Sequence, residues 1–469
     1  MQSGLSENDF GWGSPTFHKM GREKINLIGL FTDMGVDLLL SDVDTVWLRN
    51  PVPYILQFPE ADVLTSSDHL SPTVRDESLE RWPNAGSAAN IGIMFFRAST
   101  AGARQLAKDW SKALEKDPHY WDQNAFNDLF RRGPHTPGKS NLFRAFDGKI
   151  NLGIFPVSIF ASGHTFFVQR VADGLGLQPF VVHATFQFSG TPGKRHRFRE
   201  NLMWLDPPEY FDRPGGFLTF DMHIPPDLLS GAKPSPSSMS PKGTVGHFRL
   251  AHHQIQQIRN AFALGLLLDR AVVIPQLWCG LDRWWAPHAG TIPGSDFRLP
   301  FPCPLDHVLD LEQMVRPVPH LGRPLEWREH SFLQNPRLPA EVNNSRVSIE
   351  ICENEDASCS GGTSPAAIHS GTIRLRSGLR DKEISTALEP VKGARIVHFK
   401  DLTGNAFGGF ANHVDGDKFE ERTKVYTSLW CCSRAHPGHI WYDMWFDKVP
   451  HKDRHNRQWE SQWMPKTGP

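Results

Sequence analysis

Short apolar runs alternate with segments of helical periodicity between residues 20 and 183, and this alternation constrains the fold more than any other feature. The apolar runs predict strands at Val36–Leu40, Ala61–Thr65, Ile91–Phe96 and Phe180–His183. The helical spacing predicts helices at Met20–Met34, Ala101–Leu114 and Asp122–Phe130. The first run has the pattern of a strand covered on both faces. Strands that alternate with helices indicate an α/β fold, with helices layered on a sheet.

A change in composition predicts a domain boundary in the middle of the chain. Residues 206–241 are rich in Pro, Gly and Ser, and we interpret residues 206–245 as a linker. Beyond it, a helical pattern at Phe248–Leu268 leads directly into an apolar run at Ala271–Pro275, and another run follows at Ala394–Phe399. We therefore expect a first α/β domain at residues 1–205 and a second at residues 246–469.

Composition excludes several classes of partner. The chain has 469 residues and a formal net charge of −1, which argues against nucleic acid or an anionic membrane as the main ligand. It has no apolar run of about 18 residues, the length that a membrane-spanning helix needs, and no signal peptide is visible. Six cysteines without a C-x-x-C pair, together with the sequon Asn343-Asn344-Ser345, are weak indications of an oxidising, secretory compartment.

Two carboxylates interrupt an apolar segment in residues 37–51, DLLLSDVDTVWLRNP. Burying charge is costly, so Asp42 and Asp44 require compensation. Residues i and i+2 of an extended strand point the same way, so these side chains can converge just past the strand's carboxyl end, where open α/β sheets bind ligands. Two carboxylates suit Mg²⁺ or Mn²⁺. The alternative is an ordinary turn, because Asp-x-Asp alone is a weak motif.

Four later segments make the pattern more specific. They are ADVLTSSDH (61–69), NAGSAANIGIMFFR (84–97), WDQNAFNDLF (121–130) and VHATFQFSGTPGKRHRFRE (182–200). With SDVDTVWLRNP before them, they resemble the nucleotide-diphospho-sugar transferases of the GT-A fold, and most closely glycosyltransferase family 77, the plant and algal arabinosyltransferases of extensin type. The resemblance begins near residues 11–24, in mid-domain for the family. We therefore expect the family's upstream nucleotide-binding region and membrane anchor to be missing from this sequence.

The resemblance implies a metal site. Asp44 would be a direct ligand of Mn²⁺ or Mg²⁺, and Asp42 would hold the ribose or a water on the metal, or ligate the ion itself. His183, which follows the FVVH strand, would be a third ligand. A lone histidine is more often structural, and that alternative stays open.

The resemblance also implies contacts to the donor sugar. Asp122 would bind sugar hydroxyls, and Gln123 would lie under the anomeric carbon and stabilise its positive charge. Asn90 and Asn127 would contact the sugar or orient the helix that begins at Asp122. The alternative for Asp122 is that it is simply a helix N-cap.

A basic segment completes the implied site. Gly193, Lys194 and Arg195 in TPGKRHR would form a flexible loop that closes on the diphosphate, although a solvated basic run is the commoner meaning of such clusters. The reaction implied is retaining transfer from a UDP-sugar, UDP-β-L-arabinofuranose, to arabinosides on a hydroxyproline-rich, extensin-type glycoprotein in the Golgi lumen. The alternatives are a UDP-galactose or UDP-xylose donor and a non-catalytic protein that binds sugar or peptide.

The second half carries a weaker resemblance. Residues 252–278, HHQIQQIRNAFALGLLLDRAVVIPQLW, resemble an element of the protein O-fucosyltransferases in which an arginine-bearing helix precedes a strand. Arg259 and Arg270 are the residues that this comparison singles out. The alternative is a helix packed on a strand, with arginines that serve the fold.

Overall fold

The computed structural model describes residues 11, 13–85, 88–234, 241–284, 288–322, 324–352, 358–427, 429–433, 436–441 and 444–445, with side chains for all of these except 241–244 and 429–441. The chain divides into two compact units, residues 1–187 with 294–296, and residues 188–293 with 297–469. The domain limits at residues 205 and 246 stay predictions, and residues 235–240 of the predicted linker lie outside the described part of the chain.

The first unit is a mixed α/β structure. Its helices are α1 (Pro15–Asp33), α2 (Val52–Ile55), α3 (Ala101–Lys116), α4 (Asp122–Phe130) and α5 (Val171–Leu175). Its strands are β1 (Leu38–Ser41), β2 (Thr45–Trp47), β3 (Val63–Ser67), β4 (Ala89–Phe96), β5 (Phe143–Ala145), β6 (Ile150–Ile154), β7 (Phe160–Ser162) and β8 (Val181–His183). The predicted helices and strands of this region are confirmed, and α4 has the predicted bounds.

Two sheets organise the first unit. The larger has the strand order β1-β4-β3-β6-β5, in which β3 and β6 are parallel and the other pairs are antiparallel. The smaller has the order β2-β8-β7. Strands β1 and β2 follow each other in the chain but belong to different sheets, so residues 42–44 connect the two sheets.

The larger sheet has an apolar layer on each face because side chains alternate along a strand. Val63 and Phe96 lie in one layer with Trp110 of α3, and α1 and α4 add further side chains to it. Leu64 and Phe95 lie in the opposite layer, where α2, β7 and β8 contribute aromatic and aliphatic side chains. The sheet therefore forms the centre of the unit's core.

Helix α1 packs through one stripe of residues. Ser14 caps its amino end by accepting a hydrogen bond from the amide of Phe17 at 3.1 Å. The buried positions are Gly21, Ile25, Ile28 and Thr32, which are three or four residues apart and so share one face.

The prediction that the first apolar run is a strand covered on both faces is confirmed in part, because Leu38 and Leu40 pack against one apolar layer and Leu39 against the other. Residues Val36 and Asp37 are exposed, and Leu38–Leu40 are half-buried. Among the described residues β1 pairs with β4 alone, so it is an edge strand of the sheet. A continuous apolar run does not distinguish an edge strand from a central one, because both present apolar side chains to a core.

The second unit is built on a six-stranded parallel sheet. Its helices are α6 (Gly190–Glu200), α7 (Pro226–Gly231), α8 (Pro241–Leu268), α9 (Leu311–Val315), α10 (Ala340–Asn344), α11 (Asp381–Ala387) and α12 (His413–Thr423). Its strands are β9 (Phe217–Phe220), β10 (Ala271–Val273), β11 (Leu277–Cys279), β12 (Phe301–Cys303), β13 (Trp327–Arg328), β14 (Arg346–Cys352), β15 (Thr372–Arg376), β16 (Ile396–Phe399), β17 (Leu429–Ser433) and β18 (His436–Trp441). The sheet order is β13-β10-β9-β16-β14-β15. A second α/β unit, predicted from the pattern, is thus present.

Buried polar groups of the second unit serve its fold. Arg270 donates hydrogen bonds from its guanidinium to the backbone carbonyls of Val391 and Ala394, at 3.0 and 2.8 Å. Arg259 stacks on Trp445. Disulfides join Cys279 to Cys303 and Cys352 to Cys359. These contacts are those of arginines that tie helices and loops together, and the likeness to O-fucosyltransferases stays a prediction.

Candidate functional site

Asp42 and Asp44 lie in the turn between β1 and β2. The amide of Asp42 donates to the carbonyl of Gly92 at 2.8 Å, which ends the pairing of β1 with β4. The hydroxyl of Thr45 donates to the carbonyl of Asp42 at 2.7 Å and closes the turn, and Val43 between the two carboxylates is fully exposed. The predicted position, just past the strand's carboxyl end, is confirmed, but the assumed extended backbone is wrong: the two carboxylates approach each other because the chain turns.

His183 reaches the two carboxylates through strand pairing. Strand β2 runs antiparallel to β8 with Thr45 opposite His183, and the amide of Ala184 donates to the carbonyl of Asp44 at 2.9 Å. The imidazole Nε2 consequently lies 3.2 Å from Oδ1 of Asp44 and 3.8 Å from Oδ2 of Asp42. His183 is buried, while Asp42 and Asp44 are half-buried.

The three side chains fit a divalent cation. One ligand atom from each of Asp42, Asp44 and His183 lies within 4.8 Å of the other two, and no other group of three such side chains was found among the described residues. Adjacent ligands of a six-coordinate ion, each about 2.1 Å from it, lie about 3 Å apart, so these spacings suit such an ion. Two carboxylates with one imidazole suit Mn²⁺, and carboxylates alone suit Mg²⁺.

Gly92 on β4 makes room for the histidine. A Cβ at this position would overlap the imidazole of His183 and lie 3.0 Å from Oδ1 of Asn90. The Asn-x-Gly pattern that the sequence showed at Asn90 and Gly92 therefore has a physical reason. The glycine lets the ring pack on the strand, and the asparagine lies beside it.

Helix α1 brings two residues to the site that sequence reasoning missed. Lys24 donates from Nζ to Oδ1 of Asp42 at 2.7 Å. Gly21 lies one turn earlier, where a Cβ would be 2.8 Å from Oδ2 of Asp122, so the helix approaches that carboxylate only because the residue is glycine. A glycine inside a helical pattern is a weak signal of close approach, and here it was available in MGREK.

Asp122 is the first residue of α4 and is not its N-cap, which is Trp121. The alternative that Asp122 is only a cap is therefore wrong; its Oδ1 accepts from the amide of Gln123 at 2.8 Å. Burial raises the pKa of Asp122, and the negative charge of Asp42 raises it further, while Lys24 opposes both effects. Asp122 thus belongs to the same electrostatic cluster as Asp42.

Asp68 connects Gln123 to Asn90. This aspartate follows β3 and accepts from Nε2 of Gln123 at Oδ2 and from Nδ2 of Asn90 at Oδ1, both at 2.9 Å. Burial raises the pKa of Asp68, although the two amide hydrogen bonds and the charge of His183 act in the opposite direction. The segment ADVLTSSDH contains this residue, but nothing in the local sequence indicates its partners, so no role was predicted for it.

Asn127 ties α4 to β4. Its Oδ1 accepts from the amide of Ala89 and its Nδ2 donates to the carbonyl of the same residue, each at 2.9 Å. Nδ2 also donates to the carbonyl of Gln123 at 2.8 Å. The structure thus gives this side chain contacts that orient the helix carrying Asp122 and Gln123.

The predicted diphosphate-binding residues lie in the second unit. Gly193, Lys194 and Arg195 belong to helix α6, so the expectation of a loop at these positions is wrong. Gly193 is buried, and Arg195 is exposed with its guanidinium over the ring of Trp204. Pro192, in the first turn of this helix, is favoured near a helix start and does not break it, which explains why a Gly- and Pro-containing segment is helical. Their contact with diphosphate stays a prediction.

The sequence of this chain is similar to that of proteins whose family is known. The profile of the family described as nucleotide-diphospho-sugar transferase matches residues 2–198, which include every residue of the site described above.

In the described part of the chain, we found no helix with the length and apolar character needed to cross a membrane.

Three plant proteins illustrate the relationship. Arabinosyltransferase XEG113 of Arabidopsis thaliana is 46% identical over 457 residues, which are 96% of this chain and 69% of that protein. UDP-D-xylose:L-fucose alpha-1,3-D-xylosyltransferase 3 of the same plant is 23% identical over 43% of this chain and 51% of its own length. Beta-arabinofuranosyltransferase RAY1, also of Arabidopsis thaliana, is 27% identical over 25% of this chain and 21% of its own length.

Proposed function

Because the chain belongs to the nucleotide-diphospho-sugar transferase family, we propose that this glycosyltransferase is a metal-dependent, retaining arabinosyltransferase. The observation that carries the proposal is the convergence of Asp42, Asp44 and His183 within 4.8 Å, beside the helix that begins with Asp122 and Gln123. The similarity to two arabinosyltransferases supports L-arabinofuranose as the sugar and UDP-arabinofuranose as the donor.

Asp42, Asp44 and His183 would hold Mn²⁺, or alternatively Mg²⁺. A divalent cation bound there would neutralise the charge that develops on the departing diphosphate. The neutral imidazole of His183 and the carboxylate of Asp44 would be its direct ligands, and Asp42 would ligate it or hold the donor ribose. Lys24 holds the carboxylate of Asp42 in place from α1.

Residues of α4 and β4 would bind the sugar. Asp122 would accept hydrogen bonds from its hydroxyls, and Oε1 of Gln123 would lie beside the anomeric carbon, where a carbonyl dipole stabilises positive charge in the transition state. The bond from the anomeric carbon to the diphosphate would break as the bond to the acceptor oxygen forms on the same face, and the acceptor's proton would pass to the departing diphosphate oxygen, so the configuration is retained. Asn90 and Asn127 would keep these groups in position, and Gly193, Lys194 and Arg195 would contact the diphosphate.

The acceptor proposed is an arabinoside chain on hydroxyproline of an extensin-type glycoprotein, and the compartment is the Golgi lumen. The two disulfides, Cys279–Cys303 and Cys352–Cys359, support an oxidising compartment. The acceptor rests on the resemblance to extensin-type arabinosyltransferases.

A second candidate donor is UDP-xylose. It is favoured by the similarity of part of this chain to Arabidopsis xylosyltransferases, which reaches 23% identity over 205 residues. The chemistry of the metal site is the same for both donors, so the choice depends on contacts to the sugar.

The test is a donor panel assayed with the full chain. UDP release and transfer to a hydroxyproline arabinoside would be measured with UDP-arabinofuranose, UDP-xylose and UDP-galactose, in Mn²⁺ and after EDTA treatment. We expect transfer from UDP-arabinofuranose that EDTA abolishes and Mn²⁺ restores, with the product anomer matching that of the donor by NMR. Equal rates with and without metal, or an inverted product, would contradict the proposal.

A further inference from the structure

We propose that Asp68 is a positioning residue that keeps the carbonyl oxygen of Gln123 directed to the donor sugar. The inference rests on the proposed function, in which that oxygen lies beside the anomeric carbon. Its basis is the hydrogen-bonded chain from the Gly92 amide through Asn90 and Asp68 to Gln123.

The first link of the chain is fixed by the backbone. The amide of Gly92 donates to Oδ1 of Asn90 at 2.9 Å, and a backbone N–H can only donate. The asparagine must therefore keep its oxygen towards Gly92 and its Nδ2 towards Asp68. A rotated amide would place two donors against each other in a buried position, which leaves both unsatisfied.

The second link passes this polarity to Gln123. An ionised carboxylate accepts hydrogen bonds and cannot donate them, so Oδ1 takes the Asn90 donor and Oδ2 requires a donor from Gln123. The glutamine thus turns Nε2 to Asp68 and its Oε1 away from it. An amide has two orientations of nearly the same shape, and the carboxylate selects between them.

The substitution Asp68→Asn reverses the selection. The new side chain must offer its oxygen to Asn90, which is fixed, and so presents its NH₂ group to Gln123. Gln123 then rotates to accept that hydrogen bond, and its own NH₂ group takes the place of Oε1. We expect kcat to fall by about 100-fold, the effect of removing one preorganised polar group, with KM for the UDP-sugar changed by less than about threefold.

A double variant separates polarity from structure. Gln123→Glu alone would set two carboxylates against each other and lower kcat by a similar factor. In Asp68→Asn/Gln123→Glu, the new amide donates to one glutamate oxygen and the other faces the sugar, so an acceptor is restored. We expect the double variant to be at least about tenfold faster than either single variant, whereas independent losses would multiply to about 10⁴-fold.

Asp62→Asn is the matched control, because Asp62 is a buried carboxylate just before the other end of β3 that accepts from the amide of Asn151 at 2.6 Å. It should keep kcat within about threefold of the wild type. All variants would be compared for thermal stability and for Mn²⁺ dependence, which the inference leaves unchanged.

Two failures are distinguishable. A wild-type chain that releases no UDP from any donor contradicts the proposed function. A wild-type chain that is active and Mn²⁺-dependent, while Asp68→Asn keeps kcat within about threefold or the double variant shows multiplied losses, overturns the role of Asp68 and leaves the proposed function standing.

Discussion

Asp68 in the first unit and Asp306 in the second have pKa values shifted in opposite directions by their surroundings. Asp306 is buried and bound by the guanidinium of Arg197, whose Nε lies 3.1 and 3.0 Å from its two oxygens. Burial alone would raise its pKa, but Arg197, His307 and the amide of Phe188 hold the pKa of Asp306 well below its usual range. Asp68 accepts from two neutral amides, and burial raises its pKa.

The difference indicates what each region is for. A carboxylate paired with a buried arginine has its charge compensated by the fold, which is the arrangement of a structural group. In the first unit burial raises the pKa of Asp122, and Lys24, which lowers that pKa, is shared with Asp42, so the carboxylates near the turn at residues 42–44 are only partly compensated. A cation bound there would compensate the remaining negative charge, and such sites are places where a fold departs from its own stability optimum.

The largest expected effect is the loss of activity in Asp44→Asn. This change removes one charged ligand of the proposed metal site, and we expect kcat/KM to fall by at least about 10³-fold, which is about 4 kcal/mol. Without metal, the midpoint of thermal unfolding should not decrease, because one of the clustered charges is gone. Measurement of UDP release and of unfolding with and without Mn²⁺ would check both. A Mn²⁺-dependent stabilisation of the variant as large as that of the wild type would contradict the assignment of Asp44 as a metal ligand.

The second effect is the loss of stability in Asp306→Ala. The variant leaves Arg197 buried without its carboxylate, and we expect the free energy of unfolding to fall by about 3 kcal/mol in urea denaturation. Arg197→Met/Asp306→Leu is the informative control, since replacing a whole buried pair with apolar residues is often nearly neutral. A double variant less stable than the single one would show that the pair has a role beyond charge compensation.

Gly92→Ala should act on metal binding through His183. A Cβ at residue 92 overlaps the imidazole, so the ring must move away from Asp44. Replacing a residue that orients a metal ligand typically lowers metal affinity by about 10- to 100-fold, and titration of Mn²⁺ against enzyme activity would measure it. Gly174→Ala, at a position with no neighbouring atom within 4 Å of a Cβ, should leave the Mn²⁺ affinity unchanged.

The smallest effect concerns the pH dependence of stability, where the two aspartates should differ in sign. The pKa of Asp306 is depressed by folding, so its contribution is present above the usual carboxyl pKa of about 3.9 and is lost as the pH falls through the folded value. The pKa of Asp68 is raised, so the folded state takes up a proton more readily than the unfolded state, and stability rises as the pH falls through the raised value towards the usual one.

The free energy of unfolding of Asp68→Asn, Asp306→Asn and the wild type would be measured as a function of pH, from above the raised pKa of Asp68 to below the usual carboxyl pKa. The difference of each variant from the wild type gives the contribution of that aspartate. The kcat of the wild type should also fall as Asp68 takes up its proton, because a protonated carboxyl presents a donor to Gln123. An identical pH dependence of stability for both variants would contradict the assignment of the two charge environments.

Sequence patterns predicted most of the first unit's elements, and the resemblance to a family named the three side chains that converge as a candidate metal site. Helix α4 was predicted from its first to its last residue because periodicity is a local property. Asp42, Asp44 and His183 were identified by resemblance, and the register of β2 against β8 brings them together. That register is a long-range property which periodicity does not encode.

The roles of Lys24, Gly21 and Asp68 were not predictable from local sequence. Lys24 and Gly21 on α1 contact Asp42 and Asp122, which are distant from them in the sequence. No local sequence pattern indicates such contacts. Asp68 depends on an irregular register between β3 and β4 at Thr65 and Ser66, which shifts the strand end towards Asn90. A shift of one residue changes which side chains meet, and propensities carry no information about it.

The two glycines of α1 have a consequence for engineering. Replacing a helical glycine with alanine commonly stabilises a protein by about 0.5–1 kcal/mol, so a designer of a hardier catalyst would select both Gly21 and Gly29. Gly29 is open, with no atom within 4 Å of a new Cβ, and is a suitable position for that change. At Gly21 the added methyl group would collide with the carboxylate of Asp122, and a gain in thermal tolerance would be accompanied by displacement of this proposed sugar-binding group. Stability screens without an activity assay would therefore select the wrong glycine as readily as the right one.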